Sequence, residues 1–300
     1  MDVIGQIPDQ VPAQFLGEWE QRAQRHHTPC GHGSMVWRSW GVGPPLLLIH
    51  GGAGAWSHWV RNLAGLTRSF TVIAPDLPGL GESASPPKPY TPESIAQIVV
   101  QGLAQLLGSD LLALASRNEQ FAVCGFSFGG MVAGLVAERM GSAVHKLVLI
   151  GASGLGGQFD DLAPVYRLAR NASAEELTEL HRRNLQAMML HAPESIDPLA
   201  LFIQSQNAPR TRIMSPEHAL TLKLADSLKR SQLPVASIWG EHCIFSGDLA
   251  RRRALLNQIS PGSSFDVIES AGHWAQYEAA AIVTPLLVQL LAKLPSGASR

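Results

Sequence analysis

Ser127 stands at the centre of Gly125-Phe126-Ser127-Phe128-Gly129, and the chain changes character on either side of it. Upstream lies the apolar, strand-type run Phe121-Ala122-Val123-Cys124; downstream, from Met131, small and apolar helix formers resume. A serine on the bend between a buried strand and a buried helix is the arrangement of a nucleophile elbow, and its chemistry is attack on a carbonyl carbon. The glycine spacing has a steric reason. A strained turn needs neighbours without side chains, so that strand and helix can approach while the hydroxyl projects. The helix start also sets backbone N–H groups beside any oxyanion that forms. A glycine-rich turn carrying an idle serine would have no need of the buried strand and helix that flank this one.

Two other stretches can join that chemistry. The apolar run at residues 45–50 leads straight into His50-Gly51-Gly52-Ala53-Gly54. This cluster reads either as a tight turn alone or as the backbone half of an oxyanion hole. Near the C-terminal end, His273 in Ala271-Gly272-His273-Trp274 follows a strand and a small-residue turn, where a parallel sheet exposes its active edge. Paired with the elbow it is the expected general base. His26, His27 and His32 fall close together in a turn-rich segment without ligand spacing, so a solvated or structural role is expected and no metal.

The elements that must position these residues alternate. Strands are predicted at residues 45–50, 70–74, 121–125, 146–150, 235–239 and 264–268. Helices are predicted at residues 56–66, 95–107, 216–228, 248–259 and 274–294, with another after the elbow. That order means βαβ crossovers and a largely parallel sheet. Residues 26–41 suggest a hairpin at a sheet edge, and a helix is possible over 13–25. From about 155 to 215 the alternation stops. The chain there is helix-like and broken by Pro164, Pro193, Pro198 and Pro209, and it reads as an inserted helical cap. The expected division is a core of residues 1–154 and 216–300 with the cap at 155–215. Within the cap, Met188, Met189, Leu190, Leu201, Phe202 and Ile203 can line an acyl pocket or serve as ordinary helix core.

Composition narrows the partners. Of 300 residues, 46% are hydrophobic and only 16% charged, enough for one large α/β domain with an insertion. A formal net charge of -1 with no basic run argues against nucleic acid and anionic membranes, and the expected ligand is small. Cys30, Cys124 and Cys243 lie far apart, which suits a reducing compartment. The N-terminus lacks a basic, then apolar, leader pattern, and no apolar run reaches the roughly 18 residues of a span. These features predict a cytoplasmic protein without a cofactor, acting on a small molecule; a homo-oligomer is left open.

Four signals in order, His50-Gly51-Gly52, the loop from Pro75 through Asp76, Pro78, Gly79 and Gly81 to Ser83, the Ser127 elbow and Ala271-Gly272-His273-Trp274, resemble the α/β-hydrolase superfamily over residues 35–294. The resemblance implies the α/β-hydrolase fold: a mostly parallel twisted sheet flanked by helices, with an inserted helical cap. It implies Ser127 as nucleophile, His273 as base, and the N–H groups of Phe128 and of Gly52, or adjacent Ala53, as oxyanion hole. The third member departs from the pattern. The family commonly places an Asp as in Trp-Gly-x-x-Asp, whereas this chain reads Trp239-Gly240-Glu241-His242-Cys243. A neutral thiol cannot stabilise an imidazolium as a carboxylate does. Three possibilities stay open: Asp248 swings back as the acid, Glu241 serves, or no carboxylate partners the histidine.

Trp56-Ser57-His58-Trp59-Val60-Arg61-Asn62, with the His273-Trp274 pair, is similar to hydrolases that cleave carbon–carbon bonds in meta-cleavage products. By that similarity His58 and Trp274 are substrate-binding, His58 aligning with an Asn that holds a substrate carboxylate. An ester, thioester or lactone fits the same machinery, and a serine nucleophile disfavours dehalogenase and epoxide-hydrolase chemistry. The competing expectation is a catalytically degraded relative that binds a small molecule, with Cys243 as its main support.

Overall fold

The computed structural model describes residues 11–107, 120–156, 166 and 172–292. The chain opens with α1 (Pro12–Arg22) and the hairpin β1 (Gln24–Cys30) and β2 (Gly33–Trp40). Next come β3 (Pro45–Ile49), a 3-10 turn at Trp56–Trp59 running into α2 (Val60–Leu66), β4 (Thr71–Pro75) and α3 (Pro92–Leu106). The elbow joins β5 (Phe121–Phe126) to α4 (Phe128–Met140), and β6 (Val144–Ile150) follows. After it, the described chain is helical, with α5 (Ala174–Met188) and α6 (Pro198–Asn207), before the alternation resumes. The closing elements are α7 (Lys223–Ser231), β7 (Val235–Gly240), α8 (Leu249–Ile259), β8 (Ser264–Ile268), α9 (Ala275–Glu278) and α10 (Ala280–Leu291).

The eight strands form one sheet in the order β1-β2-β4-β3-β5-β6-β7-β8. β1 and β2 run antiparallel at the edge, and the remaining pairings from β4 to β8 are parallel. Helices pack on both faces because the central strands are apolar on both: Leu47 and Ile49 enter one core cluster, Leu46 and Leu48 the other. Parallel pairing brings the carboxyl ends of β3, β5, β6, β7 and β8 to one edge. The strand order reverses between β3 and β5, which is where an open α/β sheet leaves a crevice for a ligand.

Differences from the sequence expectation are local. The helix expected from residue 216 begins at Lys223, after a 3-10 turn at Pro216–His218. The closing helix is broken at Ala279 (φ -112°, ψ 42°) into two segments, and Pro285 sits inside the second. The stretches 157–165, with Pro164, and 167–171 of the expected cap lie outside the described residues. No helix among them is long and apolar enough to cross a membrane.

Candidate active site

Ser127 adopts φ 55° and ψ -121°, a conformation that costs a residue with a side chain on the order of 1–3 kcal/mol and is sustained only by its surroundings. Those surroundings are backbone contacts. The Ser127 N–H donates to Ile150 O (2.9 Å), and its carbonyl accepts from Gly130 (2.9 Å) and Ser153 (3.1 Å). The two glycines are required by close approach. A Cβ on Gly129 would collide with the carbonyl of His50, and one on Gly125 with the carbonyl of Gly129. The strand, the following helix and the end of β3 therefore meet at van der Waals distance around one serine.

His273 reaches the serine from the loop after β8, with Nε2 2.9 Å from Ser127 Oγ. Its imidazole is 3% exposed and lies between the rings of Phe126 (4.9 Å between centroids) and Phe245 (4.5 Å). Gly151 closes the remaining side, since a Cβ there would lie 2.9 Å from Nδ1. Burial pushes the His273 imidazole down to about 3, so it is neutral at ordinary pH.

The partner of His273 Nδ1 is Cys243, whose Sγ is 3.1 Å away. The expected acid Asp248 is corrected here. Its Oδ1 accepts from the N–H groups of Ala250 (2.8 Å) and Arg251 (3.1 Å), so the carboxylate caps α8. Glu241 is committed as well, accepting from Ser270 N–H (2.9 Å) and lying 3.6 Å from His242. Cys243 is 4% exposed, and burial pushes its thiol up to about 12 against the opposing pull of the Phe245 and Ser246 backbone and Arg252. The group facing Nδ1 is thus an uncharged thiol.

Across the crevice, the loop after β3 is held by buried polar groups. His50 Nε2 accepts from Leu77 N–H (2.8 Å), which leaves Nδ1–H to donate to Gly51 O (2.7 Å). Asp76 accepts from Trp56 N–H (2.9 Å), Glu82 N–H (3.0 Å) and Arg38 Nη1 (3.2 Å). The Pro- and Gly-rich loop at 75–83 therefore shapes the 51–56 turn. No hydrogen bond among the described residues uses the N–H of Gly52 or Phe128. Ala53 has φ 50°, and a Cβ on Gly51 would sit 3.2 Å from Ser127 Cβ.

His58 is 2% exposed and its Nδ1 has no hydrogen-bond partner among the described residues. Burial holds its imidazole well below the ordinary value, with the nearby His50 and His273 acting in the same direction. Its ring lies 4.9 Å from Trp274 and 5.7 Å from Phe126. The Trp274 indole N–H donates to His58 O (3.0 Å), and its buried ring stacks on Tyr277 (4.1 Å between centroids).

Sequence reasoning missed several neighbours. The Ser215 hydroxyl lies against Gly52, so that a Cβ on this glycine would collide with it. Phe245 walls the imidazole, and Glu278 binds the backbone beside it. None belongs to a recognised local motif. Leu190 and Ile203 are fully packed in the core, whereas Met188, Met189, Leu201 and Phe202 are half-buried. His26 and His27 lie within hydrogen-bond distance of the Ser39 (3.4 Å) and Ser34 (3.3 Å) hydroxyls, and the described residues contain no three-ligand metal cluster.

A sheet of this topology with a serine elbow and a histidine at its carboxyl edge defines a class, and residues 46–284 match the profile of the alpha/beta hydrolase family. The chain belongs to that family and is a hydrolase. It is 28% identical over 264 residues to 2-hydroxy-6-oxo-2,4-heptadienoate hydrolase of Pseudomonas putida, covering 79% of this chain and 85% of that protein. It is 26% identical to 2-hydroxymuconate semialdehyde hydrolase of a Pseudomonas species, over 86% and 90% of the two chains. Among solved structures, naproxen esterase of Bacillus subtilis superposes with a TM-score of 0.70 at 18% identity, over 96% and 100% of the chains, a likeness of fold.

Proposed function

We propose that this chain is a cofactor-independent serine hydrolase that cleaves a small, largely apolar ester, thioester, lactone or vinylogous diketone through an acyl-enzyme on Ser127. The 2.9 Å approach of His273 Nε2 to Ser127 Oγ, at an elbow held in a strained backbone, carries this reading. Ser127 Oγ attacks the carbonyl while its proton passes to Nε2. The oxyanion rests on the N–H groups of Phe128 and Gly52, and the imidazolium returns the proton to the leaving group. Water repeats the sequence in reverse, freeing the acid and Ser127. In the productive tautomer Nδ1–H donates to the Cys243 sulfur. The opposite tautomer, with S–H donating to Nδ1, leaves Nε2 protonated and unable to act as base.

The helical insertion acts as the cap, and its half-buried Met188, Met189, Leu201 and Phe202 supply apolar selectivity. The unpartnered Nδ1 of His58 offers a polar contact for the substrate, with the Trp274 ring beside it. The two Pseudomonas relatives named above support including the carbon–carbon substrates. A reducing compartment agrees with three buried free thiols. One observation favours a second reading, a ligand-binding protein with vestigial chemistry: the neutral Cys243 thiol in place of a charge.

Burst kinetics with a series of p-nitrophenyl esters separate the two. The hydrolase reading expects release of one nitrophenolate per chain followed by a slower steady state, and loss of both phases in Ser127→Ala. A full panel of esters, thioesters and vinylogous diketones turned over no faster by wild type than by Ser127→Ala would leave the binding protein as the better account.

A further inference from the structure

Glu278 has no part in the proposed chemistry, yet its carboxylate gathers backbone from two distant parts of the chain. Oε2 accepts from Gly272 N–H (2.6 Å) and, at 3.2 Å, from His191 N–H; Oε1 accepts from His191 N–H (2.9 Å) and Ala192 N–H (2.7 Å). Gly272 immediately precedes His273. On its other side, Trp274 N–H donates to Met189 O (2.7 Å). The backbone flanking the base is therefore fastened on both sides to residues 189–192 of the helical insertion. The fit is close, as a Cβ on Gly272 would lie 2.7 Å from His191 N.

This fastening matters because of what stands at position 243. A carboxylate facing Nδ1 would hold the imidazole by a charge-assisted hydrogen bond, whereas a neutral thiol is a weak acceptor. The orientation of His273 must then come from the cage of Phe126, Phe245 and Gly151 and from the backbone that carries it.

We infer that Glu278 is a positioning residue for His273, setting the base through Gly272 and coupling it to the 189–192 segment of the insertion. The inference rests on the hydrolase reading. Its consequence is that displacement of this segment moves the base, so occupancy of the cap and reactivity of the serine are linked. Glu278→Gln keeps the shape but removes the charge and turns an amide NH₂ toward N–H groups that need an acceptor.

The test is a double-mutant cycle on the rate at which a fluorophosphonate modifies Ser127, measured for wild type, Glu278→Gln, Cys243→Asp and the double variant. Glu278→Gln is expected to lower the maximal labelling rate about tenfold while the half-saturating concentration stays within about twofold. In the Cys243→Asp background, where the new carboxylate orients the imidazole from Nδ1, the same change is expected to cost about twofold or less. Equal costs in the two backgrounds would make Glu278 merely structural and overturn the inference, while wild-type labelling kept the hydrolase reading intact. No labelling of the wild type would remove that reading and this inference with it. If Glu278→Gln proves misfolded by circular dichroism, Glu278→Asp, shorter by one methylene, is compared across the same two backgrounds and decides in the same way.

Discussion

In the proposed chemistry, the 3.1 Å contact between Cys243 Sγ and His273 Nδ1 sets which nitrogen of the imidazole is free to take a proton. A carboxylate there would enforce the productive tautomer and stabilise the imidazolium; the loss of that control in serine proteases costs on the order of 10⁴ in turnover. Cys243→Asp is therefore expected to raise ester turnover about ten- to a hundredfold, measured as kcat, with a flat response contradicting the contact's role. Asp248 belongs to a different account. Asp248→Asn is expected to leave kcat unchanged, and Asp248→Ala to lower stability by about 1 kcal/mol in chemical denaturation through loss of the α8 cap. The family resemblance implies that residue 243 stands where an acid is common, and the sequence reads Cys there. It cannot show where Asp248 points, because a helix N-terminus and a buried imidazole compete for one carboxylate and local geometry favours the helix. Ser127 and His273 were legible as neighbours since one ends the buried strand β5 and the other follows β8, and parallel pairing brings such strand ends to one edge. Ser215, Phe245 and Glu278 were not, because nothing in their local sequence records that they will meet Gly52, the His273 ring and the 191–192 backbone.

At the level of elements, the strand, elbow and helix around Ser127 form one unit whose tolerance is set by glycine. Gly129→Ala would drive a methyl group into the carbonyl of His50, forcing α4 away from β3. Overpacking of this kind costs about 1–3 kcal/mol, so a lowered denaturation midpoint together with slower serine labelling is expected. A variant as stable and reactive as wild type would show that the approach is looser than described. The alternation of strands and helices was readable because apolar runs of five or six residues bounded by Gly or Pro are too short for helices. Boundaries shifted where a local feature prevailed over periodicity. The helix expected at residues 216–228 starts late because Pro216 opens a 3-10 turn that does not continue, and the closing helix breaks at Ala279 although its apolar pattern runs through.

Across the whole molecule, the described helical segment between β6 and α7 is held to the rest of the chain by polar contacts at several points. Asp197, at the start of α6, pairs with Arg61 and accepts from the Tyr277 hydroxyl (2.7 Å). Asn207 donates to Ser57 (3.2 Å), and Arg212 donates to the carbonyls of Gly81 and Ser83. Beneath it three imidazoles, His50, His58 and His273, are buried in the neutral form, each shifted downward chiefly by burial. In the unfolded chain such groups titrate near 6.5, while folded His273 stays neutral to about 3. Between those values the unfolded chain binds more protons, so stability is full above about 6.5 and declines as pH falls toward 3. Calorimetry from pH 7 to 4 is expected to show a falling Tm, with a shallower fall in His58→Asn; an unchanged slope would show that His58 does not contribute. In the proposed mechanism His273 stays neutral below pH 6, so turnover is expected to persist there for as long as the fold does. The proposed chemistry rests on one claim, that Ser127 is an activated nucleophile, and intact-protein mass spectrometry after exposure to a fluorophosphonate tests it most directly. One adduct per chain, mapped to Ser127 and absent from Ser127→Ala, is the predicted result. A folded wild-type chain that remains unmodified would contradict it.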